Sequence, residues 1–206
     1  MNARSIEFIK DGRLTFPLYH ATPTLFRESI LKRGLGGHDP IRELKVIELL
    51  RKLIEHEIFH PLKDGLWFYL ESMAKQKVTD GANWQHGQVY LTTSRWTANN
   101  YSKHKYGSEL ITETLNLYLK LGSPTCFTAE DFPVLNLLAS DPQPVVFKLE
   151  SVPVSILAGE KGNDVNEVVA VYEKFLQEDS QDENFNFLSS LESYNICFRM
   201  LRPISI

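Results

Sequence analysis

The strand-like segments of this chain are scattered, and that arrangement restricts the fold more than any other feature. Residues 16–22, 88–92, 145–152 and 194–201 read as strands, the last with Tyr194, Ile196, Phe198 and Met200 on one face. Helical signals fill the intervals. Residues 25–33 read as a helix that Thr24 can cap and Gly34 can end in the left-handed conformation. Asp39-Pro40 is a helix start, with the acid as N-cap and proline at the first helical position. Ile41, Leu44, Ile47, Leu50, Ile54 and Ile58 then recur at helical spacing up to Pro61, which predicts one long amphipathic helix. Further helices are expected over 66–76, over 96–104, and after the capping box Asp164-x-x-Glu167. A short helix is expected at 129–138 and an acidic loop at 177–186, while 110–121 reads equally as strand or helix. Regular βαβ alternation is missing, which argues against a doubly wound sheet. The pattern predicts a single α+β domain over residues 1–206, mostly antiparallel, with a helical insertion at 39–80.

Charge is distributed unevenly. Residues 1–63 carry 11 Lys/Arg against 8 Asp/Glu, and residues 141–206 carry 5 against 11. The acidic C-terminal third argues against broad nucleic-acid binding there. Cys126 and Cys197 are the only cysteines, too few for a disulfide framework, and buried reduced thiols are expected. The N-terminus has no signal-peptide pattern and no apolar run reaches spanning length, so the expectation is a cytoplasmic protein without membrane contact. A protein exported by a specialised secretion machine would have the same features. Nothing in the sequence sets the oligomeric state.

Three residues carry the chemistry. His20 lies at the end of the first strand, before a turn and a helix closing on Gly34-Leu35. Tyr90 lies on the second strand, and Tyr101 follows 11 residues later on the next helix. An imidazole at a strand end with two aromatics at a strand-to-helix junction can clamp a flat, charged ring, and nicotinamide is such a ring. Taken alone, each residue reads as part of a core. Their order is what points to a site.

That order resembles the ADP-ribosyltransferase superfamily, on its His-Tyr-Glu branch (diphtheria-toxin-like and PARP-like). Tyr19-His20-Ala21-Thr22 and its helix look like the first motif of that branch, although the family usually has glycine after the histidine. Val89-Tyr90-Leu91-Thr92, with Ala98-Asn99-Asn100-Tyr101, looks like the second, and the segment from Tyr194 to Arg202-Pro203-Ile204 looks like the third. The resemblance implies a split antiparallel sheet and NAD as substrate. It also implies transfer of ADP-ribose to a macromolecular acceptor, protein or nucleic acid, with release of nicotinamide. On this basis His20, Ala21, Thr22, Tyr90 and Tyr101 bind NAD: His20 holds a ribose hydroxyl, the Ala21 backbone grips the carboxamide, and the tyrosines stack on the ring. No metal is implied. The family's glutamate falls on Ser193 here. Glu192, one residue earlier and in phase with Tyr194, is the expected catalytic carboxylate with His20 and Tyr90. Ala98 replaces a serine common in relatives.

A rival motif is His56-Glu57-Ile58-Phe59-His60, a literal H-E-x-x-H. On a helix it would set His56 and His60 on one face to bind zinc, with Glu57 as general base of a metallopeptidase. Pro61, which follows at once, and the lack of a clear third ligand count against it. A third reading is a catalytically silent NAD or ADP-ribose binding module.

Overall fold

A computed structural model describes residues 7–56, 65–77, 84, 87–179 and 185–206. The chain is an α+β protein with antiparallel sheets. Strands β1 (Ile9–Lys10) and β2 (Arg13–Leu14) form a small hairpin. Five further strands form the main sheet: β3 (Leu18–Pro23), β4 (Tyr90–Thr92), β5 (Pro144–Leu149), β6 (Leu157–Gly159) and β7 (Cys197–Met200). Their order is β5-β3-β4-β7-β6, and every neighbouring pair is antiparallel. β3 pairs with β5 along its whole length, yet meets β4 at the single register pair Tyr19–Thr92. The sheet therefore opens beyond that pair.

Helix α1 (Thr24–Arg33) follows β3 directly. Thr24 does not cap it. Its hydroxyl instead accepts the Gln143 N–H at 3.0 Å, tying the helix start to the β5 end. Gly34 ends α1 with φ of 82°. The next residue, Leu35, exchanges backbone hydrogen bonds with Ile204 near the C-terminus. Asp39 caps α2 (Pro40–Glu43) as expected, accepting the Arg42 N–H at 3.2 Å. The single long helix expected here is broken at Lys45, whose φ of 53° is left-handed, and α3 (Val46–Glu55) restarts after it. The break frees the Leu44 carbonyl to accept Val134 N–H and lets Lys45 Nζ reach Asp131 O at 3.0 Å. These tertiary bonds outweigh uninterrupted helical periodicity.

Helix α4 (Gly65–Ala74) packs on α3, and its Ala74 carbonyl accepts Arg51 Nε. After β4 come α5 (Arg95–Tyr101) and α6 (Glu109–Lys120). α6 resolves the ambiguity at 110–121 in favour of helix: Ser108 caps it, and Leu110, Ile111, Thr114, Leu115 and Leu117 are buried at helical spacing. A 3-10 turn spans Pro133–Ala139, where a short helix was expected. α7 (Val165–Asp179) extends into the segment expected to be an acidic loop, and α8 (Phe187–Tyr194) occupies the expected start of the last strand.

Two apolar clusters result. One joins α2, α3, α4 and α6 through Ile41, Leu49, Leu50, Leu53, Leu70, Met73 and Leu115. The other lies on one face of the sheet, where Leu18, Leu91, Leu149, Phe198 and Met200 meet the hairpin, α1, α7 and α8. Phe26 of α1 packs against both. Among the described residues no helix is long and apolar enough to cross a membrane.

Gly34 is where backbone conformation and space both demand glycine. A Cβ there would lie 2.7 Å from Ile204 O, while one at Gly122 (φ of 78°) would meet nothing within 4 Å. Gly34→Ala is expected to cost about 2–3 kcal/mol and Gly122→Ala about 1 kcal/mol, a difference of a few degrees in Tm. Equal melting temperatures for the two variants would contradict this placement.

Candidate functional site

Where β3 and β4 part, His20 bridges the opening. Its Nδ1 lies 3.0 Å from Tyr90 O. A carbonyl only accepts, so Nδ1 carries the proton. Burial lowers the imidazole pKa below its ordinary value, against the opposing effect of that hydrogen bond. The neutral ring thus leaves Nε2 as an acceptor. The opening is a cleft of about 320 Å³, and His20, Ala21, Thr22, Tyr90 and Tyr101 all line it. The structure therefore brings these five residues to one hollow, although they are drawn from β3, β4 and α5.

Tyr101 is 62% exposed at the rim. Desolvation of its phenol, followed by Cys197, Glu160 and Glu109, raises its pKa. Its helix is fixed by side-chain caps. Ser94 Oγ accepts Thr97 N–H at 3.1 Å, and Thr92 Oγ1 accepts Ser94 N–H at 3.0 Å while donating to Asn195 Oδ1 at 2.6 Å. Thr93 Oγ1 accepts Ile196 N–H and donates to Leu191 O, both at 2.9 Å. Three consecutive buried hydroxyls thus lock α5, β4 and the entry to β7 together.

Glu192 is placed elsewhere. The expectation that it shares a strand face with Tyr194 fails because both residues lie on α8, and the strand begins only at Cys197, after Asn195 turns the chain with φ of 50°. A period of two does not apply within a helix. Glu192 is exposed, does not line the cleft, and accepts Trp96 N–H at 3.1 Å at the start of α5. That is a helix-capping contact, favoured by the helix dipole. At the cleft, β7 presents Cys197, which faces Thr92 in register. Burial and then Glu160 push its thiol pKa up, with Thr92 opposing. Among the described residues the acids on the cleft wall are Glu160, just beyond β6, and Glu109, which accepts a hydrogen bond from the Tyr69 hydroxyl. Glu160 escaped sequence reasoning because its strand is three residues long and gives no alternation to read. The available signal was an acid directly after the apolar run Ile156-Leu157-Ala158-Gly159.

The rival motif does not begin as a helix. His56 caps the end of α3 with ψ of 136°, so the helical spacing needed to align it with His60 is broken at its first residue. Residues 57–60 lie outside the described residues. His56 Nε2 instead lies 3.7 Å from Cys126 Sγ. Both cysteines are free, but Cys126 is exposed and Cys197 only partly covered, so the expectation of two buried thiols is corrected.

The lowered His20 pKa has a signed consequence. The unfolded chain takes up the proton first, so stability is full above about pH 6.5 and falls as pH drops toward the folded value. His20→Gln should therefore show a smaller loss of denaturation midpoint between about pH 8 and about pH 5 than the parent chain. Identical losses would mean the imidazole is not held neutral.

No family model, no curated protein and no solved structure matches this chain.

Proposed function

We propose that the chain is an NAD-dependent ADP-ribosyltransferase-like protein that transfers ADP-ribose to a macromolecular acceptor and releases nicotinamide. One observation carries this reading: His20, Ala21, Tyr90 and Tyr101, separate in sequence, line one cleft at the opening of an antiparallel sheet. In this reading the pyridinium ring lies between the two phenol rings, each contact worth about 0.5–2 kcal/mol. The Ala21 backbone meets the carboxamide, and the small side chain permits close approach. His20 Nε2 accepts a hydrogen bond from a ribose hydroxyl.

Cleavage of the nicotinamide–ribose bond builds positive charge on the ribose. A fixed carboxylate that binds the ribose more strongly as this charge grows lowers the barrier. We assign that role to Glu160, the acid on the cleft wall that acts electrostatically on both Cys197 and Tyr101. Nicotinamide leaves with the bonding electron pair, and a nucleophile of the acceptor attacks the exposed ribose carbon.

The second reading is a catalytically silent NAD or ADP-ribose binding module. It is favoured by Cys197, a thiol, standing on the last strand at the cleft. Incubation with labelled NAD and a cell lysate separates the two: a transferase releases nicotinamide and labels an acceptor, whereas a silent binder is only stabilised thermally. For the transferase, Glu160→Gln should lower nicotinamide release by about a hundredfold or more while NAD affinity stays within about threefold. Glu192→Gln should retain the parent rate, because an amide oxygen still caps α5. Tyr90→Ala and Tyr101→Ala should each weaken NAD binding by about 2- to 30-fold. A Glu160→Gln chain with full turnover sinks the assignment of the carboxylate.

A further inference from the structure

A second hollow, of about 340 Å³, opens beside the cleft and shares Gly36, His38 and residues 87–89 with it. The two hollows are therefore neighbours. Arg199 on β7 and Arg202 just beyond it stand on the wall of this second hollow. Among the described residues, neither guanidinium forms an ion pair or a hydrogen bond. Arg199 Nε is in addition buried with no acceptor. A buried charged N–H is strongly disfavoured unless something accepts from it, and among the described residues no group does so. Register fixes its position: Arg199 pairs with Tyr90 on one side and Ala158 on the other, on an interior strand next to the sheet edge. Among the described residues the wall carries one acid, Asp39, whose Oδ1 already accepts the Arg42 N–H. His38 is bonded to Glu43. Two guanidinium groups against one engaged carboxylate leave the hollow cationic.

We propose that this hollow is a phosphate-binding site, in which Arg199 and Arg202 hold a phosphate group of a ligand lying partly in the cleft. The planar guanidinium fork matches two phosphate oxygens at once, which an ammonium group does not. The identity of the ligand rests on the NAD reading; the phosphate chemistry does not. The phosphate belongs either to the dinucleotide itself or to a separate acceptor molecule.

The test is calorimetric binding of three probes: NAD, nicotinamide riboside (the same ring and sugar without phosphate) and inorganic pyrophosphate. Each is titrated into the parent chain, Arg199→Gln and Arg202→Gln. Arg202 is exposed, so its variant keeps the test valid if Arg199→Gln folds poorly. Pyrophosphate affinity should fall about tenfold or more in both variants, while nicotinamide riboside affinity stays within about twofold. A parallel loss for NAD assigns the phosphate to the dinucleotide, and unchanged NAD affinity assigns it to an acceptor. Arginine-dependent pyrophosphate binding without any nicotinamide riboside binding would leave the phosphate site standing and remove the NAD reading. Pyrophosphate that fails to bind, or binds equally to all three chains, overturns the phosphate site whatever NAD does.

Discussion

The site depends on a gap in hydrogen bonding between two strands. β3 and β4 share one register pair, and beyond it the ladder between them stops. There His20 Nδ1 donates to the Tyr90 carbonyl, so a side-chain hydrogen bond spans the strands where the ladder ends. The same bond fixes the tautomer and turns an otherwise ordinary strand residue into a placed acceptor. The opening of the sheet and the placement of that acceptor thus come from one contact, which explains why a partly covered histidine is tolerated within a sheet.

A second constraint holds the far wall. The hydroxyls of Thr92, Thr93 and Ser94 satisfy backbone groups of α5, α8 and the approach to β7, and Glu192 completes the cap of α5. Tyr101 is carried on that helix, and Cys197 on the strand it is bonded to. That wall is held through polar contacts, whereas α6, which brings Glu109 and Ile111 to the cleft, is held by apolar packing against the α3–α4 pair. Glu109 and Glu160 approach from different supports, one on a helix and one beyond an edge strand, so their spacing is set by tertiary packing.

Much of this was legible in the sequence where local rules govern. The Asp39-Pro40 helix start, the strand bearing His20, the Tyr90 strand and the helix carrying Tyr101 follow from caps, turns and periodicity. What was illegible depends on tertiary partners. Lys45 breaks a helix that every local signal extends, because Leu44 and Lys45 bond to a segment nearly ninety residues away. Glu192 was read by strand phase, and α8 places it on a helix instead. Glu160 and Arg199 gain their meaning from neighbours across β6 and β7, and three-residue pairing leaves no periodic trace. The second hollow has no sequence signature, since its walls come from residues 36–39, 87–89 and 199–203.

The most direct measurement is a crystal structure of the chain with NAD. The account predicts density for the nicotinamide ring between Tyr90 and Tyr101, with its carboxamide on the Ala21 backbone and a ribose hydroxyl on His20 Nε2. A ring found outside that cleft, or phenol groups that do not enclose it, would contradict the account.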